Sequence, residues 1–222
     1  MKSLTNHCIV LDLDETLVHT YDDISSLKQL KIFSDPSLID LRRRSYHLVI
    51  DDAGKRGVGE KTELWGILRP HVKEFLSFCF KYFKLVIVWS AGQTKYVEAI
   101  VKILFRDLEM PHLVYSSPHC VALSADIRVK PLLKIINNEP GFNKYMSLQN
   151  TFILDNTRSV FAHCNPSNGI LIPDYDPSLT VDDLRSDELR LKQLMFWLMK
   201  REVMTAKDIR LLDKSRIFLQ GT

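Results

Sequence analysis

Acidic, amide and hydroxyl side chains follow three short apolar runs of the sequence. The first run, Cys8 to Leu11, is followed by Asp12-Leu13-Asp14-Glu15-Thr16. The second, Leu85 to Trp89, is followed by Ser90-Ala91-Gly92, and the third, Phe152 to Leu154, by Asp155-Asn156-Thr157. Runs of this length, rich in Val, Ile and Leu, are typical of parallel strands covered by helices on both faces. Ligands of open α/β sheets bind at the carboxyl ends of strands, so we expect the three groups to meet at one edge.

The spacing of Asp12 and Asp14 suits phosphoryl chemistry, because two carboxylates in a tight loop can flank one substrate atom. A carboxylate beside a metal stays ionised and can attack phosphorus to give an acyl phosphate. The second carboxyl group can protonate the departing oxygen if its side chain does not bind the metal. Mg²⁺ prefers oxygen ligands, which Asp155 and Asn156 would also supply. A hydroxyl group and a lysine would hold the remaining phosphoryl oxygens.

Each of these residues also has an ordinary structural interpretation. Asp12 and Asp14 could cap a helix or fill a turn, and Asp155 with Asn156 could form an Asx turn. Ser90 could simply end a strand. Their joint occurrence after three apolar runs favours a functional site.

Helical patterns lie between the apolar runs. His71 to Tyr82 and Thr94 to Phe105 carry apolar residues at helical spacing, and His112 to Tyr115 is a fourth candidate strand. In the tail, Thr180 with Asp183 and Thr205 with Asp208 predict the capped starts of two more helices. The alternation predicts an α/β doubly wound fold with a central parallel sheet.

The segment from Tyr21 to Leu64 breaks this alternation. We interpret it as a small insertion after the first strand, mainly loop and β-hairpin, within one domain spanning residues 1–222. The predicted hairpin strands are Tyr46 to Ile50 and Glu63 to Leu68, joined by a Gly-rich loop from Asp51 to Gly59. The basic triplet Arg42 to Arg44 is either a solvated patch or a contact for acidic substrate residues.

Composition narrows the class of protein. The 222 residues can bury a core without disulfides, and a net charge of +3 does not indicate a nucleic-acid partner. Four cysteines without CxxC spacing predict free thiols in a reducing, intracellular compartment, nuclear or cytoplasmic. The N-terminal residues do not resemble a secretory signal, and no apolar stretch is long enough to predict a membrane span.

Five segments make the sequence similar to a known family: IVLDLDETLVHT, LRPHVKEFL, VWSAGQTKYV, RVKPLL and FILDNT. They resemble phosphatases of the haloacid dehalogenase superfamily. The closer resemblance is to the NLI-interacting-factor-like group, small phosphatases that act on the RNA polymerase II C-terminal domain. It extends from residue 6 to about residue 212 and is weakest in the insertion.

The resemblance implies a Mg²⁺-dependent phosphatase with an aspartyl-phosphate intermediate and a phosphoprotein substrate, carrying phosphoserine or phosphothreonine. It implies that Asp12 is the nucleophile and Asp14 the general acid and base. Ser90, Lys130 and Thr16 would form the phosphate-binding group, Thr16 by bracing the first loop. The metal ligands would be Asp12, the backbone carbonyl of Asp14, and Asn156. Asp155 would orient the lysine and a metal-bound water.

Some features leave alternatives open. Lys130 precedes Pro131 and could be a surface residue, with Lys134 as the alternative lysine. Thr157-Arg158 replaces the Ser-Pro of relatives, and Gly92 replaces a common serine. Relatives in mitochondrial import use a similar fold to bind peptides without catalysis, and others hydrolyse small metabolites or polynucleotide ends. The segment WSAGQ also resembles phosphatases of large DNA viruses, which would place the protein in a host cell.

Overall fold

The computed structural model describes residues 3–51, 61–124 and 127–218. The strands are β1 (Cys8–Leu11), β2 (Val18–Tyr21), β3 (Ser45–Asp51), β4 (Lys61–Leu68), β5 (Leu85–Trp89), β6 (Leu113–Tyr115), β7 (Val121–Ala122), β8 (Arg128–Val129), β9 (Thr151–Asp155) and β10 (Gly169–Leu171). The α-helices are α1 (Ile24–Leu30), α2 (Ile39–Arg44), α3 (Val72–Tyr82), α4 (Thr94–Leu104), α5 (Leu132–Asn138), α6 (Ser159–Ala162), α7 (Val181–Arg185), α8 (Arg190–Leu198) and α9 (Arg201–Met204).

The central sheet is parallel and has the order β10-β9-β1-β5-β6. Strand β1 lies in the middle, and Leu11 at its end is in register with Leu154 of β9 and Val88 of β5. The three strands therefore end at the same edge. This arrangement confirms the predicted fold class and the four predicted strands, while the three-residue strand β10 was not predicted.

Helices cover both faces of the sheet because successive strand residues point to opposite sides. Ile9 and Leu11 pack into a core with α3, α4 and α8, whereas Cys8 and Val10 pack into a second core with α5 and α6. The β1 side chains are fully buried on both sides, as expected for a strand in the middle of a parallel sheet.

The segment between β1 and α3 contains more regular structure than the sequence indicated. Strands β3 and β4 form the predicted hairpin, but β2 adds a third strand in the order β2-β4-β3. Helices α1 and α2 occupy residues expected to be loop, and they bury Trp65 and Ile67 of β4 in a third core that also includes Tyr175 and Leu184. Of the predicted hairpin loop, residues 52–59 lie outside the described part of the chain.

The tail contains α7, α8 and α9 and one short 3-10 turn. Thr180 caps α7 as predicted, its hydroxyl accepting the backbone N–H of Asp183. The second predicted cap is wrong, because Thr205 ends α9 and donates its hydroxyl to the Arg201 carbonyl. Asp208 instead caps a single 3-10 turn, Ile209–Leu211. None of the helices formed by the described residues is long and apolar enough to span a bilayer.

Candidate active site

Asp12 lies at the centre of the carboxyl edge of the sheet. Its backbone N–H donates to the Leu154 carbonyl at 3.0 Å, which joins the end of β1 to the end of β9. Asp155 is the last residue of β9, and Ser90 follows β5 directly. All three residues are buried, so the structure brings the predicted side chains together in a largely dehydrated position.

Lys130 joins two of these carboxylates. Its Nζ lies 2.5 Å from Asp12 Oδ1 and 2.7 Å from Asp155 Oδ2. Burial alone would lower the pKa of Lys130, but the two carboxylates together raise it above its ordinary value. Lys134, the alternative lysine, donates to the His119 carbonyl instead. The structure therefore places Lys130, and not Lys134, beside Asp12.

Asp155 is held by more than the lysine. Its Oδ1 accepts the backbone N–H of Thr157 at 2.9 Å, which leaves Oδ2 for Lys130. Burial and the negative charge of Asp12 raise the pKa of Asp155, and the Lys130 ammonium acts against this rise. This geometry suits the orientation of the lysine that was predicted for Asp155.

The two carboxylate oxygens of Asp14 have different surroundings. Oδ1 accepts a short hydrogen bond from the Tyr96 hydroxyl, and Oδ2 accepts one from Ser90 Oγ at 3.3 Å. Burial, followed by the charge of Asp12, raises the pKa of Asp14 to about 6. A carboxyl group with such a pKa can carry a proton near neutral pH and can release it to a reacting oxygen.

The loop after β1 is braced by Thr16 and Asn156. Thr16 is fully buried, and its hydroxyl donates to Asn156 Oδ1 at 3.3 Å. Asn156 Nδ2 donates to Asp174 Oδ1 at 3.0 Å, and this bond turns the amide oxygen toward the loop. Thr16 was predicted in the phosphate-binding group through bracing of the first loop, and its buried hydroxyl makes such a bracing contact with Asn156.

Arg69 supports the same loop. It belongs to the segment LRPHVKEFL, but no role was predicted for it from the sequence. Its guanidinium is fully buried and donates to the Thr16 carbonyl at 3.0 Å and to the Pro173 carbonyl at 2.8 Å. Glu188 accepts two hydrogen bonds from it, at 3.0 Å each. A buried arginine with a bidentate carboxylate partner is fixed in position, so this network holds the loop.

The donor set fits a hard divalent cation. Asp12 Oδ2 accepts no hydrogen bond from the described residues, and the Asn156 amide oxygen faces the loop that contains the Asp14 carbonyl. The described residues hold no cluster of three or more His, Cys, Asp or Glu side chains with metal-binding geometry. A carboxylate, a carbonyl and an amide, completed by water and phosphate oxygens, match the preferences of Mg²⁺ and offer no soft ligand.

The three arginines of the basic triplet differ in their contacts and in their exposure. Arg42 donates to the carbonyls of Ile32 and Asp35, and Arg44 donates to those of Leu68 and Leu184 and to the Tyr175 hydroxyl. Arg43 is exposed and lines a cleft with His47, Lys73 and Arg106. Two of the three residues are therefore structural, and Arg43 alone fits either predicted role.

Comparisons with known proteins agree with this fold. The chain resembles fission yeast RNA polymerase II CTD phosphatase Fcp1 bound to beryllium fluoride, with a TM-score of 0.60 and 17% identity over 77% of this chain and 42% of that one. A second structure of Fcp1, described as an essential RNA polymerase II CTD phosphatase, gives a TM-score of 0.59 and 16% identity over 94% of this chain and 57% of that one. The fold is thus of the haloacid dehalogenase-like α/β class.

The family follows from the sequence comparison. Residues 7–210 match the model of the NLI interacting factor-like phosphatases, and the chain belongs to that family. It is also 27% identical over 182 residues to CTD nuclear envelope phosphatase 1B of Danio rerio, a match covering 81% of this chain and 64% of the relative. The chain thus spans less than two thirds of the length of each of these relatives.

Proposed function

We propose that the protein is a Mg²⁺-dependent phosphatase that hydrolyses phosphomonoesters through an aspartyl phosphate on Asp12. The observation that carries the proposal is that the Lys130–Asp12 ion pair and the Ser90–Asp14 hydrogen bond both form at the adjoining ends of β1 and β5. Family membership supports the reaction class. When bound, Mg²⁺ would be held by Asp12, the Asp14 carbonyl and Asn156, and would offset negative charge on the phosphoryl group.

In the first half of the reaction, a carboxylate oxygen of Asp12 forms a bond to phosphorus while the bond from phosphorus to the leaving oxygen breaks. Lys130 is an ammonium beside the reacting carboxylate, and Ser90 supplies a hydroxyl donor, so both can hold phosphoryl oxygens. Protonated Asp14 gives its proton to the leaving oxygen, which departs as an alcohol.

In the second half, Asp14 is a carboxylate and accepts a proton from the attacking water. The water oxygen bonds to phosphorus, the bond to Asp12 breaks, and inorganic phosphate leaves. Asp14 is then protonated again and Asp12 is a free carboxylate. The pKa of Asp14, raised to about 6 by burial and by Asp12, suits a group that must serve in both forms.

We infer that the substrate is a protein carrying phosphoserine or phosphothreonine, and that a tail similar to that of RNA polymerase II is one candidate. The Fcp1 matches act on that tail, and the Danio rerio relative is named for the nuclear envelope. An intracellular protein, nuclear or cytoplasmic, fits the free cysteines among the described residues.

Hydrolysis of a phosphoserine peptide and of a nitrophenyl phosphate by the purified protein tests this function. Mg²⁺ should support turnover, EDTA should stop it, and Asn156→Ala should raise the Mg²⁺ concentration needed for half-maximal rate. Asp14→Asn should reduce the rate on the peptide by roughly a hundredfold to ten-thousandfold. Full activity in excess chelator, or no hydrolysis of either substrate by the wild-type protein, would refute the proposal.

A further inference from the structure

A chain of three hydroxyl groups runs from the insertion to Asp14. Thr20 of β2 lies at its centre, with its Oγ1 2.6 Å from the Tyr46 hydroxyl of β3 and 2.6 Å from the Tyr96 hydroxyl of α4. Tyr96 makes the short hydrogen bond to Asp14 Oδ1. Hydrogen bonds thus join strand β3 of the insertion to helix α4 next to the side chain of Asp14.

The direction of these hydrogen bonds follows from counting protons, since each hydroxyl group has one. Tyr96 gives its proton to Asp14, so Thr20 must donate to Tyr96. Tyr46 then donates to Thr20 at 2.6 Å in preference to the His19 carbonyl, which lies 3.4 Å away. All three bonds then point toward the carboxylate. Chains of hydrogen bonds with one direction polarise and strengthen one another.

Two glycines make room for the tyrosines. A Cβ at Gly66 of β4 would overlap the Tyr46 hydroxyl, and a Cβ at Gly92 would lie 2.9 Å from Tyr96 Cδ1. A larger residue at either position would push a tyrosine of the chain out of its present place.

The chain makes the two oxygens of Asp14 chemically different. Oδ1 is occupied by Tyr96, whereas Oδ2 faces Ser90, which directly follows β5 at the same edge of the sheet as Asp12. We propose that Tyr96, supported by Thr20 and Tyr46, positions Asp14 so that Oδ2 is the oxygen that gives and takes the catalytic proton. This inference rests on the proposed function and assigns Tyr96 as a positioning residue that contacts no substrate atom.

The proton balance is simple. In the first step the Oδ2–H bond breaks and the proton moves to the leaving oxygen, while Tyr96 remains bonded to Oδ1 of the new carboxylate. In the second step water returns a proton to Oδ2. The hydroxyl chain keeps all of its own protons throughout.

Leaving-group dependence distinguishes positioning of the acid from a merely structural role. A nitrophenyl group departs as a stable anion and needs no proton, whereas the alkoxide of phosphoserine does. Tyr96→Phe keeps the ring and removes the hydroxyl. We expect kcat/KM to fall about tenfold to a hundredfold on a phosphoserine peptide, which is a part of the loss expected when the acid itself is removed. On nitrophenyl phosphate, kcat/KM should change less than about twofold. The ratio kcat/KM reports only the steps up to the aspartyl phosphate, so the second half does not affect the comparison.

Thr20→Val and Tyr46→Phe should shift the ratio of the two substrates in the same direction, by smaller factors. The matched control is Tyr82→Phe, because the Tyr82 hydroxyl donates to the Leu198 carbonyl away from the site. It should leave the ratio unchanged. Equal losses on both substrates for Tyr96→Phe, or no loss on the peptide, would overturn the proposal. Wild-type activity on nitrophenyl phosphate shows separately whether the proposed function holds.

Discussion

At the scale of single residues, Lys130 balances the charge of the candidate site. It is almost fully buried and contacts two carboxylates that are also buried. Removing one partner from a buried ionic group leaves the others unpaired, at a cost of about 3–5 kcal/mol. We expect Lys130→Met to lower the free energy of unfolding by that amount in urea titrations and to abolish turnover.

Lys134→Met is the matched control for this change. The Lys134 ammonium makes one described hydrogen bond, to the His119 carbonyl, and the change should cost about 1 kcal/mol. Its effect on turnover should be small. If the two variants lost the same stability and activity, the assignment of Lys130 to the site would be wrong.

The raised pKa of Asp14 predicts a pH dependence. In the proposed mechanism Asp14 must be protonated to act as the acid, and its protonated fraction falls as the pH rises through about 6. The kcat/KM for a phosphoserine peptide should therefore decline above about pH 6, whereas that for nitrophenyl phosphate should not follow this decline. The Tyr96 hydrogen bond lowers the pKa of Asp14, so Tyr96→Phe should move the decline to higher pH. A decline at the same pH in the Asp14→Asn variant would contradict the assignment.

Residues at strand ends could be predicted from the sequence, whereas their supports could not. Asp12, Ser90 and Asp155 directly follow or end apolar runs, so their position depends only on recognising the strands. Tyr96 and Arg69 reach the site through side chains from other elements. Tyr96 lies at an ordinary helical position, and no local signal in the sequence distinguishes it from a packing residue.

At the scale of elements, the insertion shows where hydrophobic periodicity no longer predicts helices. Helices α1 and α2 have seven and six residues, too few turns to define an apolar stripe. A usable signal existed in Asp23 and Asp35, whose side chains accept backbone N–H groups at the start of α1 and of the 3-10 turn before α2. The long helices α3 and α4 were predictable because each repeats its buried positions over three turns.

The basic triplet gives a prediction for this element. Arg42 and Arg44 each satisfy backbone carbonyls, and leaving such acceptors unpaired costs about 1–3 kcal/mol. We expect Arg42→Ala and Arg44→Ala to lower the Tm, and Arg43→Ala to leave it unchanged. If Arg43 contacts acidic substrate residues, its variant should raise KM only for acidic phosphopeptides. A Tm loss for Arg43→Ala equal to the other two would show that the described contacts do not explain the triplet.

At the scale of the whole molecule, the elements formed by the described residues leave little room for a cap over the site. Between Ser90 and Lys130, the described residues are used by α4, β6 and the short strands β7 and β8. The helices of the insertion pack against its own sheet in a small core that Tyr175 and Leu184 complete. A site without a cap admits an extended peptide, whose neighbouring residues contribute binding energy.

We therefore predict higher kcat/KM for phosphopeptides than for sugar phosphates or nucleotides. The comparison needs a panel of each class at one Mg²⁺ concentration, with nitrophenyl phosphate as the common reference. A metabolite that outperforms every phosphopeptide in the panel would contradict this prediction, while leaving the chemistry at Asp12 unaffected.

In the proposed mechanism, Asp12 carries the phosphoryl group. Acid quenching of the enzyme during turnover of a phosphoserine peptide, followed by digestion and mass spectrometry, locates the covalent intermediate. We predict one added phosphoryl group on the peptide that contains Asp12. In Asp12→Asn, both the added group and all turnover should be absent. A phosphoryl group on any other residue, or appreciable hydrolysis by pure Asp12→Asn protein, would contradict the account.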